Sequence, residues 1–90
     1  MAALNTTAVL AYSARIPTTF VVVADAGNSV NVYISSQDPT CTDNIDQLSP
    51  GQDVSFNNWV GEIYWKAASS TANAYVCFVN QYNAASTVKS

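Results

Sequence analysis

Histidine is absent from this chain, and charge is scarce, with three cations and six carboxylates in 90 residues. Without histidine there is no side chain whose ordinary pKa lies near neutrality, so proton transfer would fall to a few carboxylates and lysines. The ten serines have no histidine base beside them and no G-x-S-x-G turn. A serine–lysine pair would have to use Lys66, on the polar face of a strand, or Lys89, in a small polar tail. The three cations, Arg15, Lys66 and Lys89, are far apart in the chain, and the net charge is −3. They cannot form a basic patch, which argues against nucleic acid or an anionic membrane surface as partner. No apolar run reaches the roughly 18–20 residues of a membrane-spanning helix. The stretch Met1–Ala14 is apolar in flavour, but it lacks a positive start and is interrupted by Asn5, Thr6 and Thr7. It is read as part of the fold rather than as a signal peptide. The reading is of a non-enzyme without cofactor or catalytic residue.

Cys41 and Cys77 are the only cysteines. Their spacing fits no zinc motif, and no histidine could complete one. They are either two free thiols or one disulfide, which the chain-entropy model values at roughly 4 kcal/mol. Half of the acidic residues, Asp38, Asp43 and Asp46, fall in the irregular stretch from Gln37 to Gln52. With Asn44 they offer the hard oxygens that calcium prefers, but the spacing is not that of a helix–loop–helix calcium site, and the reading is a solvated loop. Asp53 and Glu62 are the other carboxylate pair; they flank Phe56–Trp59 and could face each other across a hairpin, but a domain this small has little room for a glycosidase cleft. Glu62 is also expected to pair with Lys66 on one strand face, a surface contact of at most ~1 kcal/mol.

What the chain has in place of charge is Asn, Gln, Ser and Thr, at about a third of its positions, together with 49% apolar residues. Two-residue alternation runs through Val30–Ser35, Val54–Asn57, Ile63–Ala67 and Ala72–Phe78, and each is read as a strand with one buried face. Phe20–Ala24 is apolar on both faces, as a central strand would be. An earlier strand is expected within Asn5–Ser13, with Pro17 separating it from the next. Asp25–Asn28, Ser49–Gln52 and Ala68–Thr71 read as turns, the second as a type II turn with Pro50 and Gly51 in its central positions. Gly61 marks either a tight turn or a bulge in one long strand. A short helical turn is expected around Asn44–Leu48. Val30-Asn31-Val32-Tyr33-Ile34 and Ala72-Asn73-Ala74-Tyr75-Val76 look alike at a separation of about 42 residues, either as a repeat of two hairpins or by convergence. The fold expected for residues 1–90 is one all-β domain, a small antiparallel sandwich or barrel of about six to seven strands.

Asn31, Tyr33, Tyr64, Asn73 and Tyr75 fall on the polar phase of their strands. Exposed tyrosines among amides give large contact area at low entropy cost, and these five, with the Gln37–Gln52 loop, are the candidate contact residues. Trp59 and Trp65 read as core or core edge.

The run Ser49–Ala67 (SPGQDVSFNNWVGEIYWKA), followed by a small-residue turn and a last strand, resembles small all-β head-decoration or cement proteins of tailed bacteriophage particles. The resemblance covers the last half of the chain and carries no catalytic residue. It implies a non-enzymatic virion protein, made in the host cytoplasm and present in many copies. Such a protein binds the major capsid protein or another virion protein from outside, often as a homo-oligomer, with cysteines that oxidise only after release. The other reading is a small carbohydrate-binding module or lectin, with tyrosine and tryptophan stacking on sugar rings and two sites from the two hairpins.

Overall fold

The computed structural model describes residues 1–42 and 45–78. They form six strands and no helix: β1 (Ala2–Leu4), β2 (Val9–Ala24), β3 (Val32–Ser36), β4 (Ile45–Leu48), β5 (Asp53–Ala67) and β6 (Ala72–Phe78). All pair antiparallel in one sheet of order β1-β6-β2-β5-β3-β4. The sheet curls into a half-barrel, and Asn5 at the end of β1 accepts a hydrogen bond from the amide of Ala67 on β5 at 2.8 Å. The expected small all-β fold is thus what the chain adopts.

The alternation read from the sequence decides which face of each strand turns inward. Phe20, Val22 and Ala24 of β2, Val32 and Ile34 of β3, Ile63, Trp65 and Ala67 of β5, and Ala72 and Ala74 of β6 are all buried on the inner side. Phe20 is the centre. Its ring stacks on Phe56 at 5.0 Å and meets the edge of Tyr12 at 5.1 Å. Phe78 lies edge-on to Tyr12 at 5.0 Å, and Trp59 packs edge-on against Phe56 at 5.5 Å. Phe20–Ala24 does run between two neighbours, β5 and β6.

Three local readings are corrected. Pro17 does not divide two strands, because β2 runs through it. Among the described residues β6 pairs with β2 from Phe20 onward, and the ladder to β5 passes from Ala14↔Gly61 to Thr18↔Trp59, so the missing N–H of Pro17 falls within a register shift and interrupts none of these pairs. A strand does lie within Asn5–Ser13, the start of β2 at Val9, and before it Asn5 Oδ1 accepts the amide of Thr7 at 2.8 Å in a side-chain turn. Ile45–Leu48 forms β4 rather than a helical turn, since β3 offers it a free edge and Leu48 gains burial. Asp53 and Glu62 do not face each other across a hairpin, because both lie on β5.

Of the readings left open, Gly61 is not a tight turn but lies inside the long β5, at φ 127°, paired with Ala14 beside a register shift whose extra residues are on β2. The turn at Ser49–Gln52 forms as read, with Gln52 N donating to Ser49 O at 2.9 Å and Gly51 at φ 85°. The two look-alike segments occupy equivalent places. β3 flanks β5 as β6 flanks β2: Val32 faces Ala67 where Ala74 faces Ala24, and Tyr33 faces Lys66 where Tyr75 faces Val23. The carbonyl of Asn31 accepts from Ala68 N, just past β5, and that of Asn73 accepts from Asp25 N, just past β2. An approximate two-fold axis therefore passes through the middle of the β2–β5 pair.

Candidate interaction surface

The outer side of the sheet divides into two flanks and a central ribbon. On the β3–β5 flank a turn at Asp38–Thr42 folds back over the strands. Asp38 anchors it: Oδ1 accepts from Thr40 N and Oγ1, at 3.0 and 2.8 Å, and Oδ2 accepts from Thr42 N and Oγ1, at 3.0 and 3.3 Å. The turn carries Cys41 into a buried position beside the carbonyls of Tyr64 and Tyr33, with Sγ at 3.4 and 3.6 Å. Burial pushes the Cys41 thiol pKa above 9.0; nearby Lys66 opposes the rise and Asp38 adds to it. Lys66 Nζ reaches the carbonyl of Thr40 at 3.4 Å and stands 5.9 Å from the centre of the Tyr33 ring. It forms no pair with Glu62, because four residues along a strand span about 13 Å; Glu62 instead accepts from Ser13 Oγ at 3.5 Å.

The β6–β2 flank carries Tyr75, Cys77, Val21 and Val23 in cross-strand pairs. Asn73 contributes its backbone here. Its N–H donates to Asn28 Oδ1 at 2.7 Å and its carbonyl accepts from Asn28 Nδ2 at 2.9 Å. The Asn28 side chain thus pairs with β6 as a strand would and locks the turn after β2. On the other flank Asn31 Nδ2 donates to Gln47 Oε1 at 3.1 Å.

The five candidate contact residues are therefore not one patch. Tyr33, Tyr64 and Asn31 share one flank, and Tyr75 and Asn73 lie on the other. All three tyrosines are half-buried. Cys41 and Cys77 are free and unlike, the first buried under the turn beside β3 and the second exposed on β6, with β2 and β5 between the two strands. No three histidine, cysteine or carboxylate side chains converge among the described residues; Asp43, Asn44 and Lys89 lie outside them.

Sequence reasoning passed over the central ribbon. Between Ser13↔Glu62 and Phe20↔Phe56, β2 and β5 pair only with each other among the described residues. The register shifts twice here, and Asn58 takes φ 51° with its amide on Thr19 Oγ1 at 3.3 Å. Ile16, 72% exposed, and Val60, 51% exposed, occupy the facing interval between Ala14↔Gly61 and Thr18↔Trp59. Leu10 and Val9, further along β2, are also exposed. Beneath the ribbon, Trp59 Nε1 is buried without a partner. The available signal is an isoleucine between Arg15 and Pro17.

The chain matches no family model, no curated protein and no solved structure.

Proposed function

We propose that this is a non-enzymatic structural protein of a virion, a decoration or cement protein that binds the outside of a capsid and stabilises it. The observation that carries the reading is a surface poor in charge yet bearing Leu10, Ile16 and Val60 half or more exposed on its two longest strands. Isolated exposed apolar residues are ordinary, but several along one ribbon with little surrounding charge fit a surface made to be covered. The half-buried tyrosines and amides of the two flanks would add contact at subunit seams, and many identical copies would make a weak single contact effective. Supporting this over the lectin reading, Trp65 is buried, Trp59 packs on Phe56 and Lys66 stands over Tyr33. Sugar stacking needs a free, flat ring face.

The test is mass spectrometry of purified particles from the source, with copy number, followed by co-sedimentation of the pure protein with expanded capsids. A fixed stoichiometry is expected. Absence from particles, together with binding of a defined glycan at about micromolar affinity or better, would establish the lectin reading instead.

A further inference from the structure

We propose that the Asp38–Thr42 turn is an acid-released latch over Cys41. Ionised Asp38 holds the turn shut, and a proton on its carboxylate lets the turn open while the sheet stays folded. Three features carry the inference.

The first is how the turn is fastened. Asp38 accepts four hydrogen bonds from within it, and one backbone N–H is aimed at each oxygen: Thr40 N at Oδ1 and Thr42 N at Oδ2, both at 3.0 Å. The two threonine hydroxyls supply the others, at 2.8 and 3.3 Å. An ionised carboxylate only accepts, which suits four donors. In the acid form one oxygen carries a proton and accepts poorly. Whichever oxygen takes that proton, a charge-assisted bond to the backbone is lost.

The second is strain. Gln37 and Cys41 both take left-handed backbone, at φ 64° and 57°. Neither is glycine, so the closed turn is held in a costly conformation and depends on its side-chain bonds to persist.

The third is how little lies beneath. Cys41 is the one buried residue of the turn, and it stands outside the inner cluster of the sheet. Its Sγ is 3.4 Å from the carbonyl of Tyr64 and 3.6 Å from that of Tyr33. Lys66 Nζ reaches the carbonyl of Thr40 at 3.4 Å. These are long contacts. Opening therefore uncovers one small side chain and leaves Phe20, Ile34 and Trp65 in place.

The other titratable groups beside the turn are Cys41 itself, Tyr33 on β3, and Tyr64 and Lys66 on β5. Side chains of these types do not change charge between about pH 7 and about pH 3. Glu62 meets the turn only through its backbone carbonyl, which accepts from Gln37 N at 3.0 Å; its carboxylate takes Ser13 Oγ. Asp46 on β4 pairs with Ile34, on the inner side of the sheet. Asp43 lies outside the described residues. Asp38 is thus the carboxylate placed to act on the turn among those described.

The latch does not depend on the capsid reading.

Cys77, exposed on β6, supplies a reference thiol in the same chain. The experiment labels the full chain with a pyridyl disulfide, a reagent that attacks thiols in acid as well as at neutrality. Peptide mass spectrometry gives the ratio of the Cys41 rate to the Cys77 rate, which cancels the reagent's own pH dependence. The range is about pH 7 to about pH 3, across the ordinary aspartate value of about 3.9. Circular dichroism at each pH follows the sheet. The ratio should rise about tenfold or more toward acid, one charge-assisted bond's worth, while the β spectrum is unchanged. Asp38→Asn sets an amide donor against one backbone N–H at every pH, so its ratio should be raised already at neutrality and flat below it. A flat ratio in the parent chain overturns the proposal, and so does a rise that coincides with loss of the β spectrum. A folded Asp38→Asn chain that behaves as the parent overturns it too. If that variant does not fold, Thr40→Val decides: it removes one hydroxyl donor, and the rise should move to higher pH. An unmoved rise overturns the proposal. Labelling uses the isolated chain, so a flat ratio leaves particle binding untouched, and absence from particles leaves the latch standing.

Discussion

Cys41 and Cys77 show how little a residue's type says of its chemistry here. Cys41 is sealed under the Asp38 turn and its thiol pKa is raised, chiefly by burial. Cys77 is exposed on the outer side of β6. An aromatic disulfide reagent at mildly alkaline pH should therefore modify Cys77 at once and Cys41 only as fast as the loop opens. Two equally fast thiols would contradict the buried placement. The sign of the pH effect follows from the raised pKa. Folding favours the protonated thiol, so its stabilisation is full below the unfolded value of 9.0 and is lost as pH rises through the higher folded value. Cys41→Ala should accordingly show a flatter loss of stability above pH 9.0 than the parent chain in urea titrations. Asn28 is a second case. Sequence reading gave it only a tolerance for turns, but its amide makes both bonds of a mock strand pair with Asn73. Asn28→Ala should cost about 1–2 kcal/mol, two ordinary hydrogen bonds' worth, read as a lower urea midpoint at unchanged slope.

At the scale of elements, the strands were legible wherever alternation was clean, as in Ile63–Ala67 and Ala72–Phe78, because one buried face imposes a period of two. They were misread where a local signal met an accommodating neighbourhood. Pro17 ends strands that need its N–H; here it falls in a register shift between Ala14↔Gly61 and Thr18↔Trp59, and β2 continues. Ile45–Leu48 carries too little pattern to choose between turn and strand, and the free edge of β3 chose for it. Two substitutions separate these effects. Gly61→Ala places a Cβ at φ 127° and 3.4 Å from the Gln37 side chain. It should cost about 1–3 kcal/mol, mostly as backbone strain. Pro17→Ala should leave stability within about 1 kcal/mol, but it returns an N–H to an exposed strand margin and so raises the tendency to aggregate. Thermal denaturation with light scattering reads both; a Pro17→Ala chain that lost several kcal/mol would mean the proline shapes the bulge itself.

The whole molecule was legible as a class, small and all-β, but its symmetry was not, since five similar positions could not distinguish a repeat from convergence. Only pairing register shows that Asn31–Tyr33 and Asn73–Tyr75 occupy equivalent places. The candidate surface was hidden for a related reason. Which polar-phase residues share a flank depends on sheet order, and that order interleaves the two halves of the chain. Of the five strand pairings among the described residues, β1–β6, β2–β5, β2–β6 and β3–β5 join strands from opposite sides of the Ser49–Gln52 turn; only β3–β4 lies within one half. The inner cluster follows suit: Phe20 from the first half is held by Phe56 and Phe78 from the second. Neither half can then close a core alone, and a lone strand pair is marginal in water. Cutting the chain between Pro50 and Gly51, in the exposed turn, should give two fragments that are each unfolded by circular dichroism and amide dispersion. Mixed at equal concentration they should regain the β spectrum as a 1:1 complex. The recovery should be slow, because nearly every pairing is non-local. A fragment with dispersed amide signals of its own would mean that one half carries a separable core, and the interleaved sheet would then not be the unit that folds.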